Sequence, residues 1–230
     1  SGFPYPLHGV NGLVEVDGQR MTMQNVTARA GNAPVLLSGV VTTAAGRPRG
    51  DLAITTGPVT IDDPLLAAVG EDLVSALRLK PGGTVSLDLS SLSVGPGACP
   101  MPATATAPAT APAPTTPWDW TGRIAFRDAV VQMGFGLKHV TGTVAGTMCC
   151  PSRRRYLGAD ARITLDSLTM SGRKLTDVSG TITKKPSSAV LKVGGITAKV
   201  CGGRMAGFAE VSFAEPVKYG MNLSVEDVDL

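Results

Sequence analysis

Apolar and polar residues alternate along much of this chain, and a period of two residues is typical of half-buried β-strands. Two stretches show the alternation most clearly, one at residues 84–94 and the other at residues 218–226. Their large apolar positions are Val85, Leu87, Leu89, Tyr219, Met221, Leu223 and Val225. These seven residues are therefore candidates for lining one apolar face of a sheet.

Residues 63–79 follow a helical period instead. Their apolar residues recur every four positions, at Leu65, Val69, Leu73 and Leu77. Asp63 is suited to cap a helix and Pro64 to occupy its first position, while Lys-Pro-Gly-Gly at residues 80–83 predicts its end. The pattern predicts one short amphipathic helix, whose apolar face packs against a sheet or closes its open end.

A motif of the form Leu-x-x-Val-(Asn/Thr/Ser)-Gly occurs three times, at residues 7–12, 137–142 and 175–180. In the first and last copies another glycine, Gly39 or Gly207, follows 27 residues after the glycine of the motif. The middle copy has Thr169 at that offset. Because strand-like segments fill the interval, the motif predicts a β-meander that is used more than once.

Residues 95–117 are rich in Pro, Ala and Thr and contain no charged residue. This composition predicts a flexible loop or linker. It separates a first β-meander segment, residues 1–94 with the helix, from a second, residues 118–230. Within the second segment, Asp128 stands between two short alternating stretches, which predicts a turn between paired strands.

Composition and titratable residues exclude several classes of function. A net charge of +3 and ten aromatic residues are too little for nucleic-acid binding. His8 and His139 occupy different positions of the repeated motif and are interpreted as ordinary strand or turn residues. The chain shows no convergent catalytic set, so we expect a non-enzymatic protein without cofactor.

Four cysteines, Cys99, Cys149, Cys150 and Cys201, lack the spacing of a metal site. They are interpreted as buried apolar side chains or as one disulfide in an oxidising compartment. Cys149 and Cys150 are adjacent, so a bridge would join one of them to Cys99 or Cys201.

The motif of residues 175–180, the Gly-Gly-x-x-x-Gly of residues 202–207 and the closing strand that ends Val-Asp-Leu resemble the C-terminal region of AsmA-like proteins. Residues 61–85 resemble the short helix that interrupts large members. The resemblance implies a curved, elongated antiparallel sheet with an apolar groove. It also implies a periplasmic protein, anchored to the inner membrane by a segment outside these residues, that serves phospholipid transfer or outer-membrane biogenesis.

In that interpretation the seven candidate residues line the groove and contact phospholipid acyl chains, while neighbouring β segments of a longer chain cover its edges. The basic residues 151–155 are interpreted as a solvated turn or, alternatively, as a contact for anionic headgroups. The alternative function is a structural or adhesive cell-surface module, built as a β-sandwich or solenoid. A third hypothesis is a glycan-binding module centred on Trp118 and Trp120.

Overall fold

The structure is a computed structural model that describes residues 6–44, 47–69, 79–95, 117–132, 136–150, 158–186, 188–212 and 218–227. In these ranges one short helix accompanies fourteen strands. The first part of the chain contains β1 (Leu7–Asp17), β2 (Arg20–Ala30), β3 (Ala33–Ala44), β4 (Arg47–Thr56), β5 (Val59–Thr60), α1 (Asp63–Val69), β6 (Leu79–Lys80) and β7 (Thr84–Val94). The second part contains β8 (Trp118–Gln132), β9 (Gly136–Cys150), β10 (Gly158–Met170), β11 (Arg173–Lys184), β12 (Val190–Val200), β13 (Gly203–Ser212) and β14 (Lys218–Glu226).

These strands form one curved, unclosed antiparallel sheet, as the sequence predicts. Its order is β1-β2-β3-β4-β7-β8-β9-β10-β11-β12-β13-β14, with β5 beside β7 and β6 beside β8. Because β7 pairs with β8, the segments on either side of residues 95–117 share this sheet. Most of the predicted linker itself lies outside the described residues. The two face-to-face sheets of a β-sandwich do not occur in the described part.

The repeated motif is a device that bends strands. Its third residue has a left-handed backbone in every copy, with φ of 59° at Gly9, 54° at His139 and 52° at Asp177. The strand registers shift around these residues, so each is part of a β-bulge. A bulge adds one residue to a strand, bends it and increases its twist. Recurrence of the motif therefore gives several strands a bend near the same level.

The glycine that ends the motif permits close approach of the neighbouring strand in two copies. A Cβ atom at Gly12 would lie 2.6 Å from the Cα atom of Val26, and one at Gly142 would collide with the Cα atom of Leu165. Gly180, in the third copy, has no such contact, since the atom nearest to a Cβ there, the carbonyl oxygen of Gly194, is 3.4 Å away. The glycine is thus sterically required in the first two copies.

The position of Asp128 differs from the one that the sequence predicts. It was expected near a turn between two short strands, but it lies inside the fifteen-residue strand β8. Its φ of 57° and the register shift between Phe126 and Ala129 identify a bulge. A bulge and a turn both interrupt the two-residue alternation, so the sequence pattern alone does not separate them.

The helix begins one residue away from the expected position. The carboxylate of Asp62, rather than that of Asp63, accepts a hydrogen bond from the backbone N–H of Leu65, at 2.9 Å. Asp62 is therefore the N-cap, and Pro64 is the second helical residue. The described helix covers residues 63–69, and the predicted continuation over residues 70–78 lies outside the described residues. Leu65 and Leu66 pack against the sheet, as the apolar helical face predicts.

Candidate functional site

One face of the sheet carries nearly all of the large apolar side chains. Residues that lie opposite one another in an antiparallel sheet point to the same side. A continuous chain of such pairs crosses eight strands: Leu89, Gly122, Gly146, Ala161, Ile182, Val193, Ala209 and Met221. We call the face defined by these residues the inner face.

All seven predicted residues lie on the inner face, at two separate places. Val85 and Leu87 share the alternation of Leu89 on β7, while Tyr219, Leu223 and Val225 share that of Met221 on β14. The two groups are separated by six intervening strands. The structure therefore places the seven residues on one surface without bringing the two groups into one pocket.

Burial differs sharply between the centre and the edge. Leu89 is buried, and Val85, Leu87 and Leu223 are half-buried. Tyr219, Met221 and Val225 remain exposed at the edge strand, with 50% of Met221 accessible to solvent. The inner face is consequently a filled surface in its centre and an open apolar surface along β14.

The centre of the inner face is packed by the chain's own side chains. Ala129 is fully buried and Leu175 is 2% exposed, although no second sheet of the described part covers them. Ile61, just before α1, is 1% exposed and belongs to the same apolar cluster, with Leu65 and Leu66 packed against it. The curved sheet and the segment around α1 together enclose this cluster.

A second cluster fills the inner face on the side of the sheet away from α1. Its buried members are Leu89, Trp120, Met148 and Ala159, and Trp118 is packed against them. Most of Trp120 is therefore withdrawn from the surface, which leaves little of it for a glycan-binding platform. Lys184 is also buried near this margin, and its ammonium donates to the carbonyl oxygen of Ser188 at 2.6 Å.

The first strand adds an exposed apolar surface that the seven candidates did not include. Val14 and Val16 lie opposite Met23 and Met21. Further pairs connect Met23 through β3 and β4 to Leu92 of β7, which puts both valines on the inner face. They are exposed, as are Leu7 and Val10. In the sequence, the alternation of Val14 and Val16 with Glu15 and Asp17 indicates this apolar face of β1. Thus both edge strands, β1 and β14, present open apolar side chains on the same face.

Most charged side chains of the described strands lie on the opposite, outer face, whereas Lys184 is buried on the inner one. Lys199 and Asp177 form an ion pair at 2.8 Å, and Lys192 and Glu210 form one at 3.5 Å, with all four side chains largely exposed. Such exposed pairs contribute at most about 1 kcal/mol each to stability. This concentration of charge on the outer face leaves the inner face along the edge strands available to apolar groups.

Metal-ligating and thiol chemistry is sparse in the described part. No group of three or more His, Cys, Asp or Glu residues is placed there to hold a metal ion. Cys149 is disulfide-bonded and Cys201 is a free, exposed thiol. Cys201 is thereby excluded as the partner of Cys149. The basic residues 151–155 lie outside the described residues.

Comparison with known protein families, curated proteins and solved structures yields no match for this chain. Among the described residues, no helix has both the length and the apolar character needed to cross a bilayer. The chemistry of the inner face is therefore the guide to function.

Proposed function

We propose that this chain is a non-enzymatic lipid-binding scaffold of the cell envelope, in which acyl chains of a phospholipid lie on the open parts of the inner face. The observation that carries the proposal is the exposure of apolar residues on the inner face along both β1 and β14. Large exposed apolar patches on a folded chain are typical of ligand or partner surfaces. An elongated apolar strip matches an acyl chain better than a compact polar ligand.

The energetics favour this ligand class. Each methylene group that leaves water for an apolar surface contributes about 0.8 kcal/mol. Binding of this kind needs no catalytic group, and the inner face presents no cluster of ionisable residues along the two edge strands. The ligand is held by contact area alone, so selectivity for one headgroup is not part of the proposal.

The cellular setting is proposed on two grounds. The sequence resembles that of AsmA-like proteins. This resemblance implies a periplasmic location and a role in phospholipid passage or outer-membrane biogenesis. The disulfide at Cys149 fits an oxidising compartment such as the periplasm. An anchor to the inner membrane, from sequence outside these residues, completes this proposal.

A structural module is the second candidate, and the packed centre of the inner face favours it. Side chains such as Leu175 and Ile61 already fill the curve of the sheet, so the central strands have no open track. A scaffold that displays the outer face of the sheet would need no ligand on the inner one.

Native mass spectrometry of the purified chain with phospholipid separates the two candidates. We expect bound phospholipid for the native chain and a clear loss of it for Met221→Asp, since a carboxylate on the inner face opposes acyl contact. Phe208→Asp is the matched control, because Phe208 is 48% exposed on the outer face of the neighbouring strand. Absence of lipid on the native chain, or equal loss in both variants, would favour the structural module.

A further inference from the structure

We propose that β14 of one copy of this chain pairs with β1 of a second copy and so extends the sheet from one molecule to the next. In the described part, each of these strands pairs with a neighbour on one side only. β1 has eleven residues and β14 has nine. An exposed strand edge of this length is a template for another strand.

The direction of the strands suits this pairing. Twelve strands lie along the main path of the sheet and each is antiparallel to the next, so β14 runs opposite to β1. A second copy placed beyond β14 in the same orientation therefore offers its β1 as an antiparallel neighbour. The inner faces of both copies then lie on the same side of the extended sheet, and both copies bend toward that side.

The backbone groups at the two edges also match. The carbonyl oxygen of Asn11 points toward β2, where it accepts a hydrogen bond from the hydroxyl of Thr27 at 3.1 Å. The carbonyl oxygen of Asn222 points toward Gly207 of β13. Successive carbonyl groups of a strand point to opposite sides. The carbonyl groups of the inner-face residues are hence directed to the free edge on both strands.

One alignment sets these inner-face residues opposite one another along β14. It places Tyr219 opposite Val16, Met221 opposite Val14, Leu223 opposite Gly12, and Val225 opposite Val10. Leu223 already lies opposite a glycine, Gly207, on its other side. A slip of one residue would put each apolar side chain opposite a residue of the outer face.

The same alignment pairs opposite charges on the outer face. Lys218 lies opposite Asp17, next to the Tyr219–Val16 pair. Both residues are exposed in the single copy. Exposed pairs add little affinity, but complementary charges fix the register and disfavour wrong pairings. The antiparallel direction, the matched inner faces and the Lys218–Asp17 pair together point to a second copy of this chain as the partner.

This contact is head-to-tail, because β14 and β1 are different surfaces. Each added copy leaves the same two edges open, so we expect a concentration-dependent series of oligomers instead of a closed dimer. The inference lengthens the apolar surface of the proposed lipid scaffold but does not depend on lipid binding.

Light scattering on size-exclusion fractions of the 230-residue chain, over a wide range of protein concentration, tests the pairing. We expect oligomers for the native chain and association about tenfold weaker for Lys218→Asp or for Asp17→Lys, because each places like charges at the contact. Mixing these two variants restores opposite charges at every junction and should restore association. Lys174→Asp, which makes the same charge change on the internal strand β11, should associate like the native chain.

A native chain that stays monomeric at every concentration would overturn the inference. So would variants that associate normally when alone, or a mixture that fails to recover. Lys218 and Asp17 lie on the outer face, so their variants test self-association without altering the apolar surface proposed for lipid.

Discussion

The imidazole Nδ1 of His139 lies 2.5 Å from the carboxylate Oδ1 of Asp128, and the contact joins the bulges of two neighbouring strands. Both residues have a left-handed backbone. The backbone N–H of Asp128 also donates to the hydroxyl of Thr141 at 3.1 Å. The bends of β8 and β9 are thus linked by side chains as well as by the ladder.

The same arrangement recurs near the other end of the sheet. Asn25, another left-handed bulge residue, donates its N–H to the hydroxyl of Ser38 at 3.0 Å. Ser38 precedes Gly39 as Thr141 precedes Gly142. A hydroxyl followed by a glycine, opposite a left-handed residue, is therefore the local unit that bends neighbouring strands of this sheet together.

Replacement of a bulge residue by a β-branched one should destabilise the fold. Asp177→Val is expected to lower the free energy of unfolding by about 1–2 kcal/mol, because valine tolerates a positive φ poorly. Asp177→Gly, which accepts that backbone, should change it by less than about 1 kcal/mol. Urea denaturation followed by circular dichroism gives both values.

Two controls isolate the backbone effect. Thr183→Val makes a comparable replacement at an exposed, ordinary position of the same strand and should be nearly neutral. Lys199→Ala removes the ion pair with Asp177 without changing the bulge. If Lys199→Ala costs as much as Asp177→Val, the ion pair rather than the backbone explains the loss.

Gly142 should not tolerate a methyl group. Gly142→Ala is expected to cost about 2–4 kcal/mol, since its Cβ would collide with the backbone of Leu165 and the residue has a φ of 142°. Gly220→Ala is the control, because no atom lies within 4 Å of a Cβ there. Thermal unfolding should show a clear drop for the first variant and almost none for the second. Equal midpoints would contradict the close approach of β9 and β10.

Ile61 should anchor the segment that leads into α1. Ile61→Ala is expected to cost about 2–4 kcal/mol, because it empties a site that is 1% exposed. Thr60→Ala, at the exposed neighbouring position, should change stability by less than about 0.5 kcal/mol. Chemical denaturation of both variants provides the comparison. A small loss at Ile61 would show that this segment contributes little to the packed centre of the inner face.

Local pattern predicted the strands well and their interruptions poorly. The alternation at residues 84–94 and 218–226 identified the face on which Leu89 and Met221 lie, because each residue's side follows from the two-residue period. Asp128 was misread as a turn because a bulge resets that period without ending the strand. The helix start was placed one residue late, since Asp62 and Asp63 are equally suited as caps until a backbone N–H selects one.

The sequence alone determined the β class, the meander repeated with its Leu-x-x-Val-x-Gly motif, and the apolar stripe on each clear strand, since these follow from local sterics and from side-chain period. Only the tertiary structure decided that β7 pairs with β8 in one sheet, and that Leu89 is buried while Met221 is exposed. Burial depends on how many strands lie beside a residue and on how the sheet curves. That information belongs to the arrangement of all the strands, and no single stretch of sequence contains it.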